Sequence, residues 1–438
     1  MGRRSKNIAI LAMVCTLVLG GCNNFLGHSS EVKNDSIEIV LAHFQGEGDA
    51  MYNSIQKAIL NFELDNPGVT IRQEYYPADA YLTQAEQWNE DREVRDMTLV
   101  SGTMAKTFSE NETILDLTEL VEEYGILRKI RVESFREVSV NGKHYAVPWE
   151  KADYGFIMYN KGIFEELGIE KFPETLEELM SVAQIIKEAG YIPMAMGNKL
   201  LWPADSLLFS AFVNNFVDKE WYENILLKNG KANFTDIEFV EALTAFQELA
   251  LCGMFNENFA SIDNEQRGEL YQNREAAMIS AGNWECRSTS ELAPEVAEET
   301  EIALWPRPEK NSTKQESIVS SSAWGIAISS NANEEKQKYA MEFITDYVCS
   351  QDFARVMAEE QGVFTPWDAK YDVSTINSIT QKQQAILANN NVVNCLNWDS
   401  TLPSDVKLVY QQGLQEMLQG EITPSTLAEE MQSVYIKP

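Results

Sequence analysis

Histidine is scarce. The chain has three in 438 residues (His28, His43, His144), and no two stand at metal-ligand spacing, which argues against a zinc enzyme. Basic residues are also few: 35 Lys and Arg face 67 Asp and Glu, for a net charge of −32. A surface this acidic repels phosphate backbones, so no nucleic-acid partner is expected. Catalytic signatures are missing too. There is no Gly-x-Ser-x-Gly elbow, no Gly-rich phosphate loop ending in lysine and no His-Glu-x-x-His. Gly46-Glu47-Gly48 lacks the third glycine of a dinucleotide fingerprint, so no cofactor is expected. Carboxylates abound, and a secreted carbohydrate-active enzyme could draw two of them from distant parts of the chain. That class therefore stays open as an alternative, although no residue is singled out as catalytic.

What is present begins with an address. Arg3, Arg4 and Lys6 precede the apolar run Ile8 to Leu19, which is short of the ~20 residues a membrane span wants. The run closes in Leu19-Gly20-Gly21-Cys22, which resembles the lipobox of bacterial lipoproteins. The resemblance implies cleavage before Cys22 and a diacylglycerol on its thiol. Residues 1–22 are then the signal, and polar residues 23–36 a flexible tether. The expected place is the extracytoplasmic face of the bacterial cytoplasmic membrane, touched through the lipid alone. Of the remaining cysteines, Cys15 leaves with the signal, while Cys252, Cys286, Cys349 and Cys395 are widely and irregularly spaced. They form no disulfide framework, and any pairing is left open.

The rest is long enough for two or three domains at ~150 residues each. Ile37 to Phe44 reads as a buried strand, and Met51 to Leu64 as a helix with Ile55, Ala58, Ile59 and Phe62 on one face. Asn66-Pro67-Gly68 stops that helix. Val69 to Tyr76 and Met97 to Val100 are further strands around a helix at Tyr81 to Asp91. This alternation describes a doubly wound α/β sheet. The order then becomes mixed. Asn141-Gly142 makes a hairpin turn, and Tyr154 to Asn160 is a strand. Thr175-Leu-Glu-Glu178 looks like a capping box opening a helix to Ala189. Helices follow at Pro203 to Phe216 and Asp236 to Leu251. Ala276 to Ser280 and Trp324 to Ser329 are strands, and Ala303 to Pro308 looks like a crossing segment. Lys336 to Cys349 is a helix, and the tail from Gln381 is mostly helical.

Several segments, in this order, resemble the extracellular solute-binding proteins of family 1, the sugar-type receptors of ABC importers. They are Ala58 to Val69, ending in Asn-Pro-Gly; Asn141 to Pro148; Phe156 to Gly168 with Pro173 to Leu179; Asn273 to Trp284, ending in Gly-x-Trp; and Ala323 to Ser329. The sequence departs from the family at Arg95-Asp96, where a proline often precedes the acidic residue. The resemblance implies a two-lobed fold, each lobe a mixed sheet flanked by helices, with a multi-strand hinge and ligand in the cleft. Carried over, lobe one is 37–148 plus 307–361, and lobe two is 153–305 plus 362–438. It also implies a carbohydrate ligand, the membrane subunits of an ABC importer as partners, and a monomer. A sensory or peptide-binding lipoprotein is the further alternative.

A sugar offers hydroxyls to carboxylates and amides, and a flat C–H face to aromatic rings. Among the nine tryptophans, Trp284 at the Gly-x-Trp strand end is the first candidate platform, beside Asn283. Trp202 before Pro203 and Trp324 at the head of the return strand could serve the pocket or the packing. Trp149 lies at the first crossing, as a hinge-packing or ligand residue. Trp88, Trp221 and Trp398 are expected in packing or on the surface. Phe44 ends the first strand, Gln45 and Glu47 follow it, and Ser101 follows the third, at the edge where open α/β sheets hold ligands. Asp153, with Tyr154 after it, stands where family members often place a ligand carboxylate, and Glu150 is the nearby alternative.

Overall fold

The computed structural model describes residues 36–436 apart from Gly48, Ala50, 312–315, Ala323 and Asn390. The export segment, Cys22 and the tether as far as Asp35 lie outside the described residues. Among the described residues the strands are β1 (Ile37–His43), β2 (Val69–Tyr75), β3 (Met97–Ser101), β4 (Ser139–Val140), β5 (Lys143–His144), β6 (Val147–Pro148), β7 (Ala152–Asn160), β8 (Ile192–Ala195), β9 (Ala276–Gly282), β10 (Thr300–Ala303), β11 (Ser317–Ser321), β12 (Trp324–Ile328) and β13 (Val393–Cys395).

Two mixed sheets organise all of them but β4 and β5, which pair with each other. The first runs β2-β1-β3-β12-β6 and the second β13-β11-β7-β9-β8, with β10 also on β7. In the first, β1 is parallel to β2 and β3, while β12 runs antiparallel to β3 and β6. The helix Tyr52–Asp65 buries Ile55, Ala58, Ile59 and Phe62 against this sheet, as its spacing predicts. Gly68 then takes φ +100, which only glycine adopts freely, and its carbonyl accepts from Ile37 N at 2.9 Å to restart the ladder. Asn141 and Gly142 both take positive φ, the geometry of a type I′ turn joining β4 to β5. In the second lobe, Thr175 accepts from Glu178 N. The Glu178 carboxylate reaches Glu174 N at 2.8 Å, one residue earlier than a capping box requires.

Each lobe has its own core. Ile39, Leu41, Phe62, Leu99, Phe108 and Trp149 belong to the first, and Phe209, Phe212, Phe246, Trp398 and Tyr410 to the second. Two helices expected to be regular contain π-helical stretches, Pro203–Phe209 and Phe343–Val348. The wider turn brings extra residues onto the buried face: the whole of Pro203–Phe209 is buried, and Thr345 joins Ile344 and Val348.

The crossings are placed differently from the sequence expectation at two points. The first lies at 149–151. The return expected at Arg307 is not there: Leu176 N donates to Arg307 O at 3.0 Å, and Ser317–Ser321 still pairs with β7 and β13. The first sheet is re-entered only with Trp324. The two prolines, Pro306 and Pro308, suggest a linker, yet the carbonyl of Pro306 is tied to Asn215 on the second lobe. The expected change at Gln361 also comes later. Trp367 is buried in the first core, and it is the helix Ser378–Leu387 that packs against the helix Asn283–Leu292 of the second lobe. Cys252, Cys286, Cys349 and Cys395 are all unpaired thiols.

Candidate functional site

The first-lobe wall is built at the C-terminal edge of its sheet. Ser101 ends β3 and accepts from Met104 N to cap the helix Gly102–Glu110. Trp324 is its direct neighbour across the β3–β12 ladder. Phe44, at the end of β1, meets the half-buried Trp324 edge-on at 4.8 Å. Behind both, the buried Tyr81 hydroxyl bonds the carbonyls of Ala42 and Leu99 at 3.2 and 2.7 Å. Phe44, Ser101 and Trp324 are thus brought together. Gln45 is buried beside them, but its amide oxygen accepts from Met51 N at 3.1 Å and so helps start the following helix. Its own N–H donates to His43 Nδ1, and burial lowers that imidazole to about 4, keeping it neutral. Glu47 is exposed on the turn.

The first crossing of the chain follows at 149–151. Trp149 is buried, its backbone N–H donates to Trp324 O, and its indole N–H has no partner. Lys151 N donates to Phe364 O at 2.7 Å, which pins the other side. Between them Glu150 is half-buried, and burial alone pushes its carboxyl up to about 7. The fully buried Asp153 pairs with Lys151 at 3.2 Å.

On the second-lobe wall Tyr154 lies opposite Gly282 in the β7–β9 ladder, so Asp153, Tyr154, Asn283 and Trp284 are brought together. The Tyr154 and Trp284 rings are 5.8 Å apart, and Trp284 is half-buried. A Cβ on Gly282 would lie 2.5 Å from the Trp284 ring, so glycine is what lets the indole fold back over the strand end. Trp202 is half-buried on the second core, and no measured contact joins it to Trp284.

Sequence reasoning missed a set of carboxylates along the same seam. Glu137, from the first lobe, accepts from Ser321 at 2.5 Å. Asp399 pairs with Lys407 at 2.5 Å, and Lys407 also donates to Thr103 of the first lobe at 3.1 Å. Gln411 bonds both Asp205 and Asp399 at 3.0 Å. Burial pushes Glu137 up to about 7 and raises Asp205 in the same way, with the Asp399 charge acting further on each. No local motif marks these residues, and only the position of Asp205 one turn after Trp202 hints at one of them. Trp88 and Trp398 are buried in packing, and Trp221 is stacked on Trp398 at 6.2 Å. Among the described residues no group of three or more His, Cys, Asp or Glu is arranged to hold a metal. Nor is any helix among them long and apolar enough to cross a membrane.

The family model described as bacterial extracellular solute-binding protein matches residues 45–350. An uncharacterized ABC transporter extracellular-binding protein of Pyrococcus horikoshii is 30% identical over 148 residues, which is 34% of this chain and 32% of that protein. The chain therefore matches about a third of that relative's length. A solved chitin oligosaccharide binding protein superposes with a TM-score of 0.80 at 19% identity, covering 92% of this chain and 98% of the other. A structure from work on xylan utilization by the thermophilic bacterium Caldanaerobius polysaccharolyticus superposes at 0.79 with 21% identity, covering 91% and 99%. At these identities the likeness is one of fold: two α/β lobes of the periplasmic-binding-protein kind.

Proposed function

The chain belongs to the bacterial extracellular solute-binding protein family, and from that premise we propose that it captures a sugar or oligosaccharide between its lobes and delivers it to the membrane subunits of an ABC importer. It does so without chemistry on the ligand. It works as a monomer held to the outer face of the cytoplasmic membrane by lipid on Cys22. The observation that carries this reading is a pair of aromatic faces, one on each lobe, flanking the crossing. Phe44 and Trp324 stand on the first lobe, and Tyr154 and Trp284 on the second. Phe44, Trp324 and Trp284 are half-buried, with Tyr154 buried behind Trp284; half-buried rings suit the C–H face of a sugar, and the partly buried Glu150 suits its hydroxyls. The names of the solved proteins that share the fold, one a chitin oligosaccharide binder, support a saccharide over a peptide or an ion. Contacts from both walls would favour the closed arrangement of the lobes.

The test is a thermal-shift screen of the purified chain against a glycan panel. A ligand at 100-fold above its Kd adds ~2.7 kcal/mol of stability, enough to raise the unfolding midpoint visibly. A panel with no shift would overturn the saccharide reading. Product accumulating beyond one equivalent would assign the cleft to an enzyme.

A further inference from the structure

Trp284 is held by more than packing. Arg267, on the helix Asn264–Gln272, is wholly buried. Its guanidinium donates to the Ser280 carbonyl in β9 and to the carboxylate of Glu285, in the first turn of the helix Asn283–Leu292. Glu285 is itself buried, and its second oxygen accepts from Gly282 N at 2.7 Å. The Trp284 ring lies directly against Gly282, the residue whose N–H this carboxylate holds. One ion pair therefore fixes the strand end, the helix start and the ring that lies between them.

Such a pair is a poor way to gain stability. Desolvating both charges offsets most of their attraction, and apolar residues of the same volume do as well or better. Here the cost is higher, because the guanidinium Nε is buried without a partner. What a charged pair supplies over an apolar one is direction: a carboxylate whose two oxygens are aimed, and which aims its donors in turn.

We propose that Arg267 is a positioning residue for the cleft, acting through Glu285 to hold the Trp284 indole as a flat platform for a ligand's sugar face. The proposal rests on the saccharide reading above and deepens it at one wall of the cleft.

Arg267→Met alone would leave Glu285 charged and unpaired in the interior, and such a chain can simply fail to fold. The pair is therefore replaced together, Arg267→Met with Glu285→Leu, and Arg267→Lys serves as the conservative variant. Two readouts are taken, with the urea midpoint measured alongside so that both refer to folded protein. The first is the near-ultraviolet dichroism of Trp284, isolated by subtracting the spectrum of each variant's Trp284→Phe counterpart. The second is calorimetric affinity for the tightest binder among chitotriose, xylotriose and maltotriose. The expected result is a collapsed Trp284 signal and about tenfold weaker binding in the double replacement, a loss of ~1.4 kcal/mol. Arg267→Lys should recover most of both. In a Trp284→Ala background the double replacement should weaken binding no further. A Trp284 signal that survives the loss of the pair would overturn the proposal, as would unchanged affinity in the double replacement. If none of the three trisaccharides binds, the saccharide reading falls, and the isolated spectrum still decides whether Arg267 places the ring.

Discussion

Ser321 donates its hydroxyl to the Glu137 carboxylate at 2.5 Å, tying the last residue of β11 to the first lobe just before the chain crosses. Ser400 of the second lobe comes close to Glu137 here, and Gly102 leaves room for this approach. A Cβ there would lie 2.6 Å from Glu137 O and 3.1 Å from Ser400 O. The lobes thus meet through a carboxyl that burial holds near neutrality. Asp399 adds to that shift, while Arg136 and the two serines oppose it.

Stability should therefore respond to pH through Glu137. Its folded pKa, about 7, lies above the ordinary 4.5, so the folded chain binds a proton that the unfolded chain has lost. The group's contribution is fully present below about 4.5, declines as pH rises, and is gone above about 7. Across that window the slope is at most ~1.4 kcal/mol per pH unit. Urea midpoints measured from pH 5 to 8 should fall less steeply for Glu137→Gln than for the parent. Parallel curves would mean that Glu137 titrates normally.

The backbone beside Tyr154 gives a second expectation. Gly155 takes φ +81 at a bulge in β7, and a Cβ there would meet the Ala211 Cβ at 2.6 Å. Gly155→Ala combines left-handed strain with overpacking and should cost ~2–4 kcal/mol. Gly190 is the control. It has φ +91 with nothing within 4 Å, so Gly190→Ala should cost only ~1–2 kcal/mol. Equal urea midpoints for the two variants would contradict the packing at Ala211.

Attachment is tested separately from binding. If the proposed lipidation holds, Cys22→Ala should move the protein from the membrane fraction to the soluble one and leave glycan affinity unchanged, because the polar residues 23–36 stand between Cys22 and β1 in the sequence. A variant that still resists alkaline washing of membranes would refute lipidation at Cys22.

Local signals were readable where one residue's neighbours in sequence decide its place. The stripe of Ile55, Ala58, Ile59 and Phe62, the Asn141-Gly142 turn and the strands from Ile37 to Val100 are of this kind. So is the placing of Phe44 and Ser101 at a strand's C-terminal end, although the ladder that sets Trp324 beside Ser101 could not be read. Pairing between distant segments left no such trace. Ser317–Ser321 is mostly serine, and only its position beside β7 makes it a strand of the second lobe. The turn Val132–Val138 buries only Phe135 and Val138, too few to show a period, so Glu137 went unnoticed. Gln45, a candidate for the ligand edge by its sequence position, instead bonds the Met51 N–H, a backbone partner that no side-chain pattern shows.

The two kinds of tryptophan give the last prediction. Trp398 is 1% exposed and stacks on Tyr222 at 4.4 Å and 7° inside the second core. Trp324 is half-buried, and its ring contacts are Phe44 at 4.8 Å and Tyr81 at 6.4 Å, on the wall that faces the crossing. Trp398→Ala opens a cavity and should cost ~3–5 kcal/mol of stability, with the affinity of the folded fraction little changed. Trp324→Ala forfeits one edge contact and part of its burial, ~1–2 kcal/mol of stability. In the complex it also loses the face offered to the ligand, so affinity should fall by a further ~1.5–3 kcal/mol, roughly 10- to 150-fold. The urea midpoint and calorimetric affinity on both variants separate the two roles. If Trp324→Ala costs as much stability as Trp398→Ala and leaves affinity intact, Trp324 belongs to the core of the first lobe, and the first wall of the cleft has to be sought in Ser101 and Phe44 alone.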